Sequence, residues 1–282
     1  MSAESFVTFD RSAVDGGVRR FVELTLTLAR TEFKLKFFGS ALGYFWSLVR
    51  PLLFFGVLYV FFVKIVHIAR GPHYGVYLLT SIVFWNYLAE ATGGSVNCLV
   101  ARESMLRKVR FPRLVIPLSV SLTAIFNLAM NFIVVIVFTL ANGVSPMASW
   151  FEMIPIAFGF MILATGLAML LSALYVRYRD VDPIWQVVLQ AWFYGSPVMY
   201  PATAYASSRL PSGFERFAMT NPIATLLAQM GHAWVDPEGY PSAVGAAHGA
   251  LPVIIAILII FAVFALGWSV FMREAPRLAE NL

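Results

Sequence analysis

Few residues in this chain have chemistry to offer. Asp180 and Asp182 form a D-x-D in the loop RYRDVDP. Two carboxylates at that spacing can share a divalent ion, as they do in nucleotide-sugar transferases. Here the loop is short, sits between two apolar blocks, and has no folded domain beside it to bind a nucleotide. Pairing of the two aspartates with Arg177 and Arg179 is the expected arrangement. Glu90 and Arg50 fall in or beside apolar blocks, where a charge is functional or is held near the membrane interface. Cys98 is the single cysteine, which excludes an intrachain disulfide and a cysteine-based metal centre. His67, His73, His232 and His248 are scattered without ligand spacing, so no metal site is expected. No G-x-x-x-x-G-K-[ST] occurs, and neither Lys34, Lys36, Lys64 nor Lys108 follows a glycine, so the chain has no phosphate-binding loop of its own.

The elements that must position these residues are apolar. Of 282 residues 60% are hydrophobic and only 12% charged, about half the charge of a soluble domain. That polar surface cannot cover a globule of this size. The apolar residues come in blocks of about 20, the length that crosses a bilayer as a helix. This pattern excludes a soluble enzyme and a disordered chain. The net charge of +5 does not imply a nucleic-acid partner, because the basic residues lie between apolar blocks. The polar start MSAESFVTFDRSAVDGG has no apolar centre, so no cleaved signal peptide is expected.

Six spans are expected: Ser47–Ile68, Tyr74–Gly93, Val115–Ala141, Met153–Val176, Ile184–Tyr200 and Leu251–Met272. The fifth is short and carries Pro197, which kinks it or limits its depth. Placing both termini in the cytoplasm puts sixteen Lys and Arg residues inside and four, Lys64, Arg70, Arg209 and Arg216, outside. That asymmetry sets the expected orientation. All four histidines then lie outside, so no Ser-His-Asp or Cys-His arrangement can be assembled on one side.

Three segments are not spans. In residues 15–38, Phe21, Leu24, Leu28, Leu35 and Phe38 recur at helical steps and predict an amphipathic helix lying on the cytoplasmic membrane surface. Arg19 with Glu23, and Glu32 with Lys36, are expected i,i+4 ion pairs on it. Residues 94–113, GSVNCLVARESMLRKVRFPR, predict a short helix between Gly93-Gly94 and Pro112, with Glu103 and Arg107 at i,i+4. Its five basic residues suit either positive-inside sorting or docking on a partner. Residues 201–250 contain a capping box at Ser212 and Glu215 and a second helix start at Asn221-Pro222. Two short helices there are too apolar for a solvated loop and too short to span, so they are expected to dip into the outer leaflet or cover the mouth of a cavity.

Aromatic residues form two groups. Phe55, Tyr59 and Phe62 share a face of the first span, and Trp185, Trp192 and Tyr194 lie on the fifth. Either could be an interfacial belt or a surface on which sugars stack.

The order of several stretches resembles the ABC-2-type permease subunits that export lipid-linked polysaccharides, O-antigen, teichoic acid and cell-wall galactan. These stretches are FFGSALGYFWSLVRPLL, LRKVRFPRLVIPLS, YVRYRDV, YGSPVMYP and TNPIATLL, which together run from about residue 30 to about 230. The resemblance implies an all-α integral membrane protein of six transmembrane helices, with an N-terminal interface helix and short re-entrant helices on the outer side. It implies a cytoplasmic segment 1–46, a transmembrane domain 47–272 with a coupling helix at about 95–111 and an external segment 201–250, and a tail 273–282. Arg102, Glu103, Arg107, Lys108, Arg110 and Phe111 would couple to the ATPase. Lys34, Lys36, Trp46 and Arg50 would form the passage from the interface helix into the first span. The six aromatic residues above would line the glycan path. The unit would be a homodimer in the cytoplasmic membrane with two separate ATPase subunits, which bind the ATP and Mg; this chain itself would hold no cofactor and catalyse nothing. Two rivals remain, an ABC-2 permease for a drug or lipid, and a membrane-embedded glycan transferase using Asp180 and Asp182.

Overall fold

The computed structural model describes residues 17–37, 43, 45–67, 71–104, 112–206, 211 and 213–274. All regular elements among the described residues are helical, as a chain that must pair its own backbone groups within lipid requires. α1 is Gly17–Phe37 and α2 is Phe45–Tyr59, prolonged by a π-helical turn Val60–Ile65. α3 is Tyr74–Val96, α4 is Cys98–Ala101 and α5 is Val115–Ala141. A 3-10 turn Ala148–Glu152 leads into α6, Met153–Arg177. α7 is Val181–Gly195, followed by a 3-10 turn Ala202–Ala206. α8 is Phe214–Ala218, and α9 is Pro222–Met230 with a π-helical turn Gly231–Val235. α10 is Ala243–Ala246 and α11 is Ala250–Glu274.

Among the described residues four helices are long and apolar enough to cross a membrane: Phe45–Ile65, α5, Ala148–Arg177 and α11. The other two expected spans have a different character. α3 has 23 residues, but it carries Thr80, Ser81, Asn86, Glu90, Thr92 and Ser95 and is buried around most of its circumference. It is the central helix, packed by α2, α5, α6 and α7. α7 has 15 residues, a rise of about 22 Å, less than the roughly 30 Å hydrocarbon core.

Two expected boundaries move. Gly93 and Gly94 do not end the second helix, which continues to Val96. Gly94 serves a close crossing, since a Cβ there would lie 3.1 Å from Val120 Cγ1 on α5. α7 stops at Gly195 rather than Tyr200, because Ser196 turns to an extended backbone just before Pro197.

Packing follows from ring stacking, small residues and internal hydrogen bonds, since lipid offers helices no hydrophobic reason to associate. Phe84 of α3 stacks on Phe160 of α6, centroids 4.9 Å apart, and meets Phe132 of α5 edge-on at 6.1 Å. α6 and α11 form the most extensive helix pair. They touch at Gly166 and Gly267, where a Cβ on Gly267 would fall 2.0 Å from the Gly166 carbonyl oxygen. The Trp185 indole N–H donates to Thr92 Oγ1, and that of Trp234 to Thr139 Oγ1, each at 3.1 Å.

α1 forms where the periodicity predicts and packs along α5. Phe33 meets Phe126 edge-on at 5.7 Å, and Thr123 Oγ1 donates to the Ala29 carbonyl at 3.3 Å. Its inner face centres on Thr25 and Ala29, flanked by half-buried Phe21, Leu24 and Leu28. Leu35, expected on that face, is 62% exposed; Phe38 lies outside the described residues. Arg19 and Glu23 pair at 2.9 Å as expected. In the segment 201–250 the two short helices are present. α9 starts at Asn221, whose Oδ1 accepts from the Ile223 N–H at 3.1 Å. α8 starts instead at Gly213, in the left-handed region at φ +86°. Ser212 of the expected capping box lies outside the described residues.

Candidate functional site

Charged residues gather at the end of the bundle where α1, α3, α4 and α5 meet. The expected i,i+4 pair of Glu32 with Lys36 does not form. Glu32 Oε1 pairs with Arg102 Nη2 at 2.6 Å and accepts from Ser119 Oγ at 3.3 Å. Lys36 Nζ pairs with Glu90 Oε1 at 2.6 Å, and that oxygen also accepts from Asn127 Nδ2. The cause is reach: partners on neighbouring helices add a second donor on α5 to each carboxylate, which an exposed intrahelical pair lacks. Burial nevertheless pushes the Glu32 carboxyl above its ordinary value, against the opposing pull of Arg102 and Ser119. Glu90 is thus a carboxylate with two donors, on the C-terminal part of α3. A cleft of about 380 Å³ opens between these side chains, bordered also by Leu35, Gly94, Val120 and Thr123.

Arg102 also donates from Nη1 to the Cys98 carbonyl at 3.2 Å. Cys98 and Leu99 of α4 are buried in a small apolar cluster with Ile116 of α5, Met169 and Ala173 of α6 and Phe271 of α11. Burial pushes the Cys98 thiol up to about 12. Of the expected coupling residues, Arg102 and Glu103 are half-buried here. Arg107, Lys108, Arg110 and Phe111 lie outside the described residues. Of the segment between Gly94 and Pro112 in which a separate helix is expected, the described residues include the four-residue α4, one residue beyond α3, and 105–111 lie outside them. Lys34, Trp46 and Arg50 are exposed, on the last turn of α1 and the start of α2.

The six aromatic residues are placed unequally. Phe55 is buried, edge-on to Phe138 of α5 at 5.3 Å and 5.5 Å from the Tyr59 ring. Tyr59 and Phe62 are half-buried. Trp185 is buried against α3, Trp192 is half-buried, and their rings meet edge-on at 6.4 Å. Tyr194 alone of the six presents an open ring, 57% exposed. The exposed faces of α2 and α7 mix aliphatic and aromatic side chains: Leu53 and Val57 lie beside Phe45, Trp46 and Phe54 on α2, and Ile184, Val187 and Val188 beside Tyr194 on α7. Trp185, Leu189 and Phe193 recur every four residues and mark the buried side of α7. That spacing was available to show which side is open.

Sequence reasoning missed the arrangement that holds the end of α7. The last carbonyls of a helix lack intrahelical partners. Here the Tyr194 carbonyl accepts from the Tyr200 hydroxyl at 2.8 Å and the Gly195 carbonyl from Tyr205 at 2.9 Å. The carbonyls of Pro197 and Met199, in the turn beyond, accept from Tyr77 and Tyr74 of α3. Asn221 ties this turn to α9. Its Oδ1 accepts from Trp192 Nε1 at 3.0 Å and its Nδ2 donates to Ser196 Oγ at 2.9 Å. YGSPVMYP and TNPIATLL therefore meet in space. The only sequence signal was the density of tyrosines near residues 194–205.

Asp180 and Asp182 stand at the start of α7, and Gln186 Nε2 reaches Asp182 Oδ1 at 3.5 Å. The expected pairing with arginine is not formed. Arg177 lies over the Tyr178 ring and Arg179 over the Tyr175 ring, at 5.3 and 5.0 Å. Among the described residues no group of three or more His, Cys, Asp or Glu side chains could hold a metal ion.

The pattern for the ABC-2 type transporter matches residues 23–231, from α1 through α9. The chain belongs to the ABC-2 type transporter family. Two proteins of Klebsiella pneumoniae, each an O-antigen export system permease protein RfbA, are 31% and 30% identical to it over 206 residues. Each alignment spans 73% of this chain and 77% of the relative. A protein of the same description from Myxococcus xanthus is 27% identical over 206 residues, 72% of this chain and 77% of its own. The matched part of this ABC-2 chain contains the charged cluster, both aromatic groups and the tyrosine clamp, and ends just before the π-helical turn after α9 is complete.

Proposed function

We infer that this membrane-embedded chain is the permease subunit of an ABC exporter that moves polysaccharide across the cytoplasmic membrane. The observation that carries the reading is the ABC-2 match over residues 23–231 together with relatives described as O-antigen export permeases. Two copies form the transport unit, and two separate ATPase subunits bind ATP and Mg. All six of α2, α3, α5, α6, α7 and α11 take part in crossing the bilayer, with both termini cytoplasmic, as the Lys and Arg distribution suggests. α7 needs only a partner surface, not lipid, around its short length. α8 and α9 lie at the outer end, re-entrant, against the tyrosine clamp.

The polymer is lipid-linked, and its lipid anchor remains in the bilayer while the sugars pass. Closure of the ATPase subunits pushes on the segment around Arg107 and Arg110. The push reaches α5, α6 and α11 through the apolar seat of α4 and alters how α2 and α7 pack across the dimer. Sugar rings present C–H-rich faces that stack on aromatic rings without fixing one hydroxyl pattern, so a polymer can slide. Tyr194 suits that role by its exposure; Phe55, Tyr59, Phe62, Trp185 and Trp192 shape the wall behind it.

The test is loss and restoration of the chain in its host. Without it, lipid-linked glycan should build up on the inner leaflet and vanish from the cell surface, and the wild-type chain should reverse both. Unchanged surface glycan with altered drug sensitivity would move the reading to a small-cargo permease. Loss of glycan synthesis in Asp180→Ala with Asp182→Ala would move it to a transferase. Charge reversal of Arg107 and Arg110 to Glu should leave the protein in the membrane and uncouple ATP hydrolysis from export.

A further inference from the structure

Glu32 and Lys36 are spaced so that each is the other's natural partner. Glu four residues before Lys is the favoured order on a helix. In the structure both side chains border one cleft, yet each pairs across helices. Glu32 takes Arg102, at the end of α4, and Lys36 takes Glu90, on α3. Ser119 and Asn127 of α5 supply each carboxylate with a further donor. These contacts fasten the C-terminal half of α1 to α3, α4 and α5 at one place. Apolar packing there is limited: Phe33 meets Phe126 edge-on at 5.7 Å, but Leu35 is exposed and the cleft lies between the helices. One turn earlier Thr123 Oγ1 donates to the Ala29 carbonyl at 3.3 Å.

The burial of the pairs is intermediate. The Arg102 and Glu32 side chains are 24% and 17% exposed, those of Lys36 and Glu90 44% and 32%. Pairs this wet are weaker than fully buried ones, and water can replace a lost partner. When α1 parts from α3 and α5, Glu32 and Lys36 find each other without moving along the chain. The separated state therefore keeps one of its ion pairs, which reduces the cost of parting.

We propose that Glu32, Lys36, Glu90 and Arg102 are positioning residues that form a charge latch with two pairing states, crosswise when α1 is docked and Glu32 with Lys36 when it is released. With the latch closed, α1 and the chain at Arg102 move as one body. Force applied beyond Arg102 then reaches α3 and α5 through two routes, the α4 seat and the latch. The inference rests on the exporter reading, since it assigns the latch to the transmission of ATPase closure into the helices.

The experiment uses the complete complex with its ATPase, reconstituted in vesicles with lipid-linked glycan, and reads glycan exported per ATP hydrolysed. Glu32→Gln and Arg102→Gln should each assemble, hydrolyse ATP and lower that ratio by about two- to thirtyfold, the range over which mutations along a coupling network act. The exchanged pair Glu32→Arg with Arg102→Glu should restore most of the loss, which a residue serving only stability at its own position would not allow. If the Arg102 variants fail to assemble, Lys36→Gln, Glu90→Gln and the exchange Lys36→Glu with Glu90→Lys make the same test. Unchanged ratios in the single variants, or no recovery in an assembled exchange, would overturn the latch. Spin labels at Leu35→Cys and Ala129→Cys should report two distances whose balance shifts when the ATPase is trapped with nucleotide. One distance in every nucleotide state would overturn the two-state claim. A wild-type complex that moves no glycan with ATP defeats the exporter reading instead, so the two failures are distinguishable.

Discussion

Replacing Asn221 with alanine removes three contacts at once. Oδ1 no longer accepts from the Ile223 N–H at 3.1 Å or from Trp192 Nε1 at 3.0 Å, and Nδ2 no longer donates to Ser196 Oγ at 2.9 Å. Loss of an N-cap costs about 1 kcal/mol. The indole and the hydroxyl, half-buried or buried and stripped of a partner, cost about 1 kcal/mol each. The sum is about 2–4 kcal/mol, concentrated where α7 turns back toward α9. Asn221→Asp keeps both acceptances and loses the donation alone, so it should cost about 1 kcal/mol or less. The assay is the thermal denaturation midpoint of the purified protein in lipid nanodiscs, read beside the indole N–H resonance of Trp192. Alanine should lower the midpoint clearly more than aspartate and shift the Trp192 resonance, which aspartate should leave near its native position. Equal midpoints for the two variants would refute this account, because the account assigns most of the cost to the lost acceptor.

Gly267→Ala forces a Cβ to within 2.0 Å of the Gly166 carbonyl oxygen. It should destabilise by about 1–3 kcal/mol through separation of α6 and α11, whereas Gly56→Ala, with nothing within 4 Å, should not; equal midpoints would remove the close crossing. Phe55→Ala should lower the amount of protein in the membrane, by a loss of about 3–5 kcal/mol at most, and leave export per molecule unchanged; slow export at a normal protein level would return Phe55 to the glycan path. Native Cys98 should resist maleimide from pH 7 to 9, because it is buried and its thiol is pushed up to about 12, so the reactive thiolate does not accumulate over that range; labelling that rises tenfold across it would contradict the burial. A cysteine at His248, which is exposed, should then label from outside intact cells with an impermeant maleimide, and labelling only after lysis would reverse the orientation.

Hydropathy and near-neighbour chemistry determined the helices. Val115–Ala141 is a largely apolar run without a charged residue, whose backbone can be paired only within itself, and the helix has those very limits. Asn221-Pro222 started α9 because a side-chain cap and a fixed φ act over two or three residues. Arg19 and Glu23 paired for the same reason, one turn apart on an exposed face. Tertiary structure alone decided what each helix faces. α3 is expected as one span among six, yet it is buried around most of its circumference, and Thr80, Thr92 and Ser95 are accommodated there because their hydroxyls donate to carbonyls of their own preceding turn, Thr92 also accepting from Trp185. Glu32 had a partner within its own helix and took another 70 positions away, since a carboxylate is stabilised by the number and burial of the donors around it. Phe55 and Tyr59 share a face at helical spacing, but that face met Phe138 rather than open space. Periodicity defines a face; which neighbour covers it depends on distances that no local pattern encodes.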